Sequence, residues 1–160
     1  MNPQDLFRGK RRDNGEWVEG SLIDKDYILQ YIDLAESWTP GTSDHKVTCR
    51  AWEIVPGTVG MHIGIKGYKG EYDQRKQNEV KLFSGDIVEA MSEGAKGTFV
   101  ITYRRQSAPG FYLMPAWQSG KFWNIHGSDV GREKGDYFDD LKVIGNIHDN
   151  PELIKSPKQQ

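Results

Sequence analysis

Four histidines (His45, His62, His126 and His148) and one cysteine, Cys49, are the side chains best suited to hold a metal, and His45 and Cys49 lie four apart. That spacing suits one face of a helix, but Pro40-Gly41 and the β-rich run Val47–Val55 argue against a helix there. On a strand the two would share a side at roughly 13 Å, too far apart to chelate one ion. No C-x-x-C, H-x-H or H-E-x-x-H occurs. The histidines are therefore expected to be structural or exposed, with no metal and no cofactor.

Hydrolytic chemistry would need Asp86, Glu89, Asp139, Asp140 and a histidine to meet in space, and nothing in their spacing brings them together. Asp86 ends a Ser84-Gly85-Asp86 turn, where a carboxylate commonly closes onto its own backbone. Asp149-Asn150-Pro151 reads as turn chemistry in the same way. Ser84 lacks the G-x-S-x-G frame of a nucleophile elbow. The glycines at 57, 60, 64 and 67 do not make G-x-G-x-x-G, and no helix start follows them, so a phosphate-cradling loop is rejected. No catalytic residue is assigned, and a non-enzymatic protein is expected.

Binding is the more natural expectation. Arg104, Arg105, Tyr112, Trp117 and Lys121, with Trp123 beyond them, interleave cations and rings. Such a set can stack bases and neutralise phosphates, or form a protein–protein patch anchored by Trp, Tyr and Arg. Phe111 and Trp123 are expected in the core instead. The 21 basic and 23 acidic residues leave a net charge of −2, so bulk attraction to nucleic acid is not expected. The balance favours a protein partner or self-association. A single-stranded nucleic-acid binder is the alternative, and a hydrolase with an unrecognised carboxylate/His site is the second. Lys10-Arg11-Arg12 beside a turn reads as a solvated loop.

The elements that must position these residues are strands. Asp13-Asn14-Gly15 suits a tight hairpin turn. Glu16–Ile23 follows as a strand with Gly20 at a bulge or close contact, and Tyr27–Ile32 is expected to pair with it. Ala35–His45 carries Pro40 and Gly41 and reads as an exposed loop, with Trp38 expected to fold back onto a core. Val47–Val55 is the next strand. Gly67–Asn78 is polar and charged (Lys69, Glu71, Asp73, Arg75, Lys76) and reads as a connector or mobile loop. Val80–Phe83, Ile87–Val88 and Thr98–Tyr103 then form a small-barrel pattern, with Phe99, Ile101 and Tyr103 on one face of the last. Phe111–Trp117 returns, ended or placed at an edge by Pro115. Phe122–His126 is a short strand, Tyr137–Leu141 a helical turn, Leu141–Ile147 the last strand, and Asn150–Ile154 a closing turn.

At 160 residues the chain fits one domain or two small ones. A hydrophobic content of 36% and a mean hydropathy of −0.70 require a small core, which five Trp, seven Tyr and six Phe help to fill. One cysteine excludes an intramolecular disulfide and suits a reducing cytosol. The apolar runs fall far short of a membrane span, and Met1–Asp5 lacks a secretory signature. A soluble, cytoplasmic protein with no membrane partner is expected.

Two blocks, L-F-S-G-D-I-V-E at Leu82–Glu89 and V-I-G-N-I-H-D-N-P-E-L-I at Val143–Ile154, stand with F-R-G-K near Phe7 and G-E-W-V-E-G at Gly15–Gly20. Together they resemble the YopX family of phage and prophage proteins. Val59–Gly67 resembles the first part of that family's middle block, and the resemblance covers nearly the whole chain. Tyr68–Asn78 is longer than the short family link into G-D-I-V, so an enlarged loop is expected there. The resemblance implies a mainly β protein with a C-terminal SH3-like small barrel and a smaller β-rich N-terminal subdomain. The corresponding boundaries are 1–76, 77–154 and a tail at 155–160. It implies no reaction and no catalytic residues. With the cytosolic reading above, a protein of the bacterial host cytoplasm is expected. Many β-edges on a small core, taken with the resemblance, lead to the expectation of an oligomer or assembly module.

Overall fold

The structure, a computed structural model, describes residues 6–32, 48–92, 95–106, 109–116, 123–124 and 141–155. Among them the protein is mainly β, and the chain divides into two compact units, Met1–Met61 and His62–Gln160. The loop around Trp38 and the turn expected from Tyr137 to Asp140 lie outside the described residues.

The first unit is an antiparallel meander of β1 (Phe7–Lys10), β2 (Trp17–Asp24), β3 (Tyr27–Ile32) and β4 (Thr48–Glu53). The turn into β2 is made as the sequence expects. Gly15 sits at φ 74°, where a Cβ is unfavourable, and its N–H donates to the Arg11 carbonyl at 3.0 Å. The meander curls until its end reaches its start. The Arg12 N–H donates to the Glu53 carbonyl at 2.9 Å, and the Val55 N–H donates to the Lys10 carbonyl at 2.8 Å. On the other side of β1, Phe7 pairs with Met61 and Arg8 with Gly60, the first residues of β5 (Gly60–Tyr68). Val18, Ile28 and Ile54 fill the interior, flanked by Phe7, Leu22, Trp52 and Val59.

The rest of β5 belongs to the second unit. There β6 (Glu79–Phe83) folds back on it as an antiparallel partner, with Lys66 opposite Lys81 and Tyr68 opposite Glu79. β7 (Asp86–Ser92), β8 (Ala95–Arg104), β9 (Gly110–Pro115) and β10 (Trp123–Asn124) make a second antiparallel meander. β11 (Lys142–Asn146) returns to lie antiparallel on the free side of β7 and meets β5 in parallel at Lys142 and Tyr68. Alternation decides which side chains go inside. Phe99 and Ile101 of β8 are buried, and Phe111 and Leu113 face them across the β8–β9 pair. Leu82, Val88, Leu141 and Val143 complete this core. Each fully buried aliphatic side chain contributes about 1.5–3 kcal/mol, which is how a chain of low mean hydropathy holds two small cores.

The two blocks that carry the family resemblance fasten the second unit. Asp86 is buried, and its Oδ2 accepts the Phe83 N–H at 2.9 Å, closing the Ser84-Gly85 turn as the sequence expects. Gly85, at φ 91°, is held from both sides. Its N–H donates to the Ile101 carbonyl at 2.8 Å, and its carbonyl accepts the Ile147 N–H at 2.9 Å. After β11, the Asn146 Oδ1 accepts the N–H groups of His148 and Asp149, both at 3.0 Å, and the Asn150 Oδ1 accepts the Asn146 N–H at 3.3 Å. The Asn150 side chain lies against Gly145: a Cβ there would stand 2.5 Å from its Oδ1. Pro151–Ile154 then makes the expected closing turn, a single 3-10 turn.

Candidate functional site

Of the five residues expected to form a binding surface, Arg104, Arg105 and Tyr112 are described, and Trp117 and Lys121 lie outside the described residues. Arg104 ends β8 opposite Gly110, the first residue of β9, which places it diagonally from Tyr112. Its guanidinium lies 5.4 Å from the Tyr112 ring centroid. Tyr112 is only 6% exposed, so it presents little ring to a partner and instead carries the arginine. Arg105, just past the strand, is exposed. Tyr103 points the other way from Arg104 because side chains alternate on a strand. It is 44% exposed and rests edge-on against buried Phe111, centroids 5.2 Å apart. Phe111 thus takes its expected place in the core. The exposed features of this corner are Tyr103 and Arg105, while Arg104 is half-buried on the other face over Tyr112.

A second arrangement is built on the Tyr68–Asn78 loop. The expected connector at Gly67–Asn78 is a folded excursion between two paired strands. The Lys69 N–H donates to the Asn78 carbonyl at 3.1 Å and pinches its base. Tyr72–Gln74 forms a 3-10 turn, and the Gln77 and Asn78 N–H groups both donate to the Gln74 carbonyl at 3.0 Å. Arg75 locks onto this turn, with its guanidinium 3.9 Å from the Tyr72 ring centroid and Nη1 donating to the Tyr72 carbonyl at 3.1 Å. Tyr72 in turn meets Tyr68 edge-on at 6.1 Å. Between loop and strands lies a cleft of about 600 Å³ lined by Gly64, Ile65, Lys66, Gly67, Tyr68, Arg75, Lys76 and Glu79.

The charges in the cleft are uneven. Lys66 Nζ pairs with Glu79 Oε2 at 3.1 Å, so the one acidic wall residue is already matched. Arg75 and Lys76 then leave the lining with a net charge of +2. Gly64, at φ 86°, marks the irregularity between His62 and Lys66 in the β5–β6 pairing, and this breaks the regular pleat where the cleft opens. Sequence reasoning recognised the loop's polar, charged composition. It did not connect them to Lys66, because the pairing that brings residue 66 to residue 79 is a register fact that no local pattern states.

The first unit carries a further set of stacked cations. Arg11 lies 3.5 Å and Arg50 5.2 Å from the Trp52 ring centroid, and the Trp52 Nε1–H donates to Gln30 Oε1 at 2.8 Å. Arg11 is also bound to Asp13, Nε donating to Oδ1 at 2.9 Å. That hydrogen bond, more than the charge itself, holds the Asp13 carboxyl below its ordinary value. Arg12 is paired with Glu53, whose hydrogen bond raises the guanidinium's value further. The Lys10-Arg11-Arg12 run is thus engaged within its own unit.

Among the described residues, no three His, Cys, Asp or Glu side chains gather in a way that could hold a metal ion. The His62 Nδ1 accepts the Gly64 N–H at 3.2 Å, and its ring sits edge-on to Phe83. Cys49 is an exposed free thiol. No helix among the described residues is long and apolar enough to cross a membrane.

Two small β units, glycines packed close within the strands and cationic side chains laid on aromatic rings define a class: a mainly β protein. More particularly, the chain belongs to the YopX protein family, whose family model matches residues 6–155. Neither the curated proteins nor the solved structures gave a match to it.

Proposed function

We propose that this chain is a non-enzymatic binding or assembly module of phage or prophage type that works through protein–protein contact or self-association in the host cytoplasm. The observation that carries the reading is the corner at the end of β8. There Tyr103 is 44% exposed on a buried Phe111 base, with exposed Arg105 just past the end of β8. Tyr and Arg are the side chains that most often anchor interfaces, and a ring already supported by the core loses little freedom on binding. The near-neutral net charge favours a protein partner over nucleic acid.

In this reading the second unit is an SH3-like small barrel. Its support is the β7–β8–β9–β10 meander with β11 returned to the side of β7, the order such barrels use. The exposed thiol of Cys49 suits a reducing compartment.

The test is sedimentation of the purified chain together with capture from nuclease-treated host lysate, repeated with Tyr103→Ala/Arg105→Ala. The expected result is an oligomer, or one stoichiometric protein partner, that the double substitution abolishes while the fold is kept. A strict monomer with no partner, or capture that vanishes with nuclease, overturns the proposal.

A further inference from the structure

The last strand of the first unit has an open edge. β4 ends the strand order and pairs with β3 without a register shift, from Tyr27 opposite Glu53 to Ile32 opposite Thr48. Its other edge is engaged at one end, where the Glu53 carbonyl accepts the Arg12 N–H at 2.9 Å and Arg11 bridges Ile54. Among the described residues nothing pairs with that edge from Cys49 to Ala51, and Cys49, Arg50 and Ala51 are all exposed. Neither a proline nor a bulge, two common guards against strand addition, interrupts it.

The backbone directions along this edge follow from the bonds at its closed end. Glu53 turns its carbonyl away from β3, whereas the Ile54 N–H donates back to the Asp26 carbonyl at 2.8 Å. Backbone groups alternate sides along a strand, so Cys49 and Ala51 also point away from β3, and Arg50 points toward it. The Leu29 carbonyl, opposite Ala51, lies against Gly20 of β2, as the same alternation requires. The open stretch thus offers the N–H and carbonyl groups of Cys49 and Ala51, spaced for an added strand.

The side chains select what is added. Arg50 stands between the two outward residues, with its guanidinium 5.2 Å from the Trp52 ring centroid and, among the described residues, no carboxylate paired with it. An added residue directly opposite Arg50 lies within side-chain reach, and a carboxylate is favoured there. A second copy is disfavoured by the same charge. Two open stretches joined about a two-fold axis would set Cys49 against Ala51 and Arg50 against Arg50, and like charges directly opposite repel. The flanking positions, opposite Cys49 and Ala51, share the sheet face of half-buried Leu29 and the 42% exposed Tyr27, which suits apolar side chains.

We infer that the Cys49–Ala51 edge of β4 accepts, as a further strand, an extended segment of a partner protein with one acidic residue between two apolar ones. The inference rests on the reading of the chain as a protein-binding module, and it names a contact separate from the corner at Tyr103.

The test is two-dimensional NMR titration of the full chain with the peptide acetyl-Thr-Val-Glu-Val-Thr-amide at about millimolar concentration. The expected result is saturable shifts at the Cys49 and Ala51 amides. Replacing the peptide's glutamate by lysine should weaken binding roughly two- to fivefold, and Arg50→Glu should reverse that preference. Methylating the backbone nitrogens of the two valines, which face β4, should abolish binding. Methylating that of the glutamate, which faces away, should not. Ala51→Pro removes an N–H that points away from β3 and should prevent binding while the other β3 and β4 amides keep their shifts. No saturable shift, equal effects of the two methylations, or no change of preference in Arg50→Glu overturns the inference. A dimer of the unliganded chain that Arg50→Gln tightens and Ala51→Pro abolishes also overturns it, and assigns the edge to a second copy. A host protein captured through Tyr103 and Arg105, with no peptide response at β4, overturns this inference and leaves the interaction proposal standing.

Discussion

Gly145→Ala should be among the most damaging single-methyl additions in the second unit. The added Cβ would stand 2.5 Å from Oδ1, 2.8 Å from Cγ and 3.0 Å from Cβ of Asn150. The first two atoms can rotate away, but only by giving up the 3.3 Å hydrogen bond in which Asn150 Oδ1 accepts the Asn146 N–H. The third is fixed to the backbone, so the segment after β11 must itself shift. Overpacking of this kind costs about 1–3 kcal/mol, and the lost hydrogen bond about 0.5–1.5 kcal/mol. Stiffening of the unfolded chain returns about 0.4–1 kcal/mol. The net expectation is a loss of about 0.5–4 kcal/mol, or roughly 2–4 °C in Tm for each kcal/mol in a chain of this size.

Two compact units need not unfold together. The assay is therefore urea denaturation followed by two-dimensional NMR, with the amides of β7 and β11 reporting on the second unit. A double-mutant cycle with Asn150→Gly separates the clash from generic effects. Asn150→Gly alone loses the hydrogen bond but removes the obstacle, so Gly145→Ala/Asn150→Gly should cost about 1–2 kcal/mol less than the two single changes added. Strict additivity, or a Gly145→Ala protein as stable as the parent, would refute the claim that this glycine exists to admit the Asn150 side chain.

Asp86→Ala leaves the buried Phe83 N–H without its Oδ2 acceptor and should destabilise the second unit by about 1–3 kcal/mol, whereas Asp86→Asn keeps an oxygen in place and should cost less; equal urea midpoints for the two would remove the turn-closing role. In the first unit, the carboxyl-carbon NMR shift of Asp13 should titrate below an ordinary aspartate. Because the folded value is depressed, the Arg11–Asp13 pair contributes stability above the unfolded value and loses it as pH falls through the folded one; the effect should shrink in high salt and disappear in Arg11→Gln, and a normal midpoint would contradict the geometry.

What could be read in the chain beforehand was local. Asp13-Asn14-Gly15 and Ser84-Gly85-Asp86 name their turns because positive φ and side-chain closure are properties of single residues. The Thr98–Tyr103 alternation names its buried face because a strand has a period of two. Tyr112 was harder to place. Its neighbours on β9 are all apolar, so alternation does not separate a ring that faces a partner from one that an arginine covers, and here Arg104 covers it. The cleft was hidden for a different reason. Lys66 and Glu79 are thirteen residues apart, and the loop between them has the composition of a solvated connector. Only the β5–β6 register and the Arg75–Tyr72 stack turn those charges toward one another.

The residues that carry the family resemblance are residues of architecture. Gly85, Asp86, Gly145, Asn146 and Asn150 are engaged with one another or with β8, and each has a steric or hydrogen-bonding reason to be what it is. A side chain so committed is not available to a ligand. Exposed features such as Tyr103 and Arg105 at one end of β8 and Lys76 on the Tyr68–Asn78 loop fall outside the blocks that carry the family resemblance. Changing Asp86 or Gly145 tests the fold and would say nothing about a partner. Changing exposed Arg105 leaves the fold alone, and any loss of binding would then belong to the surface itself.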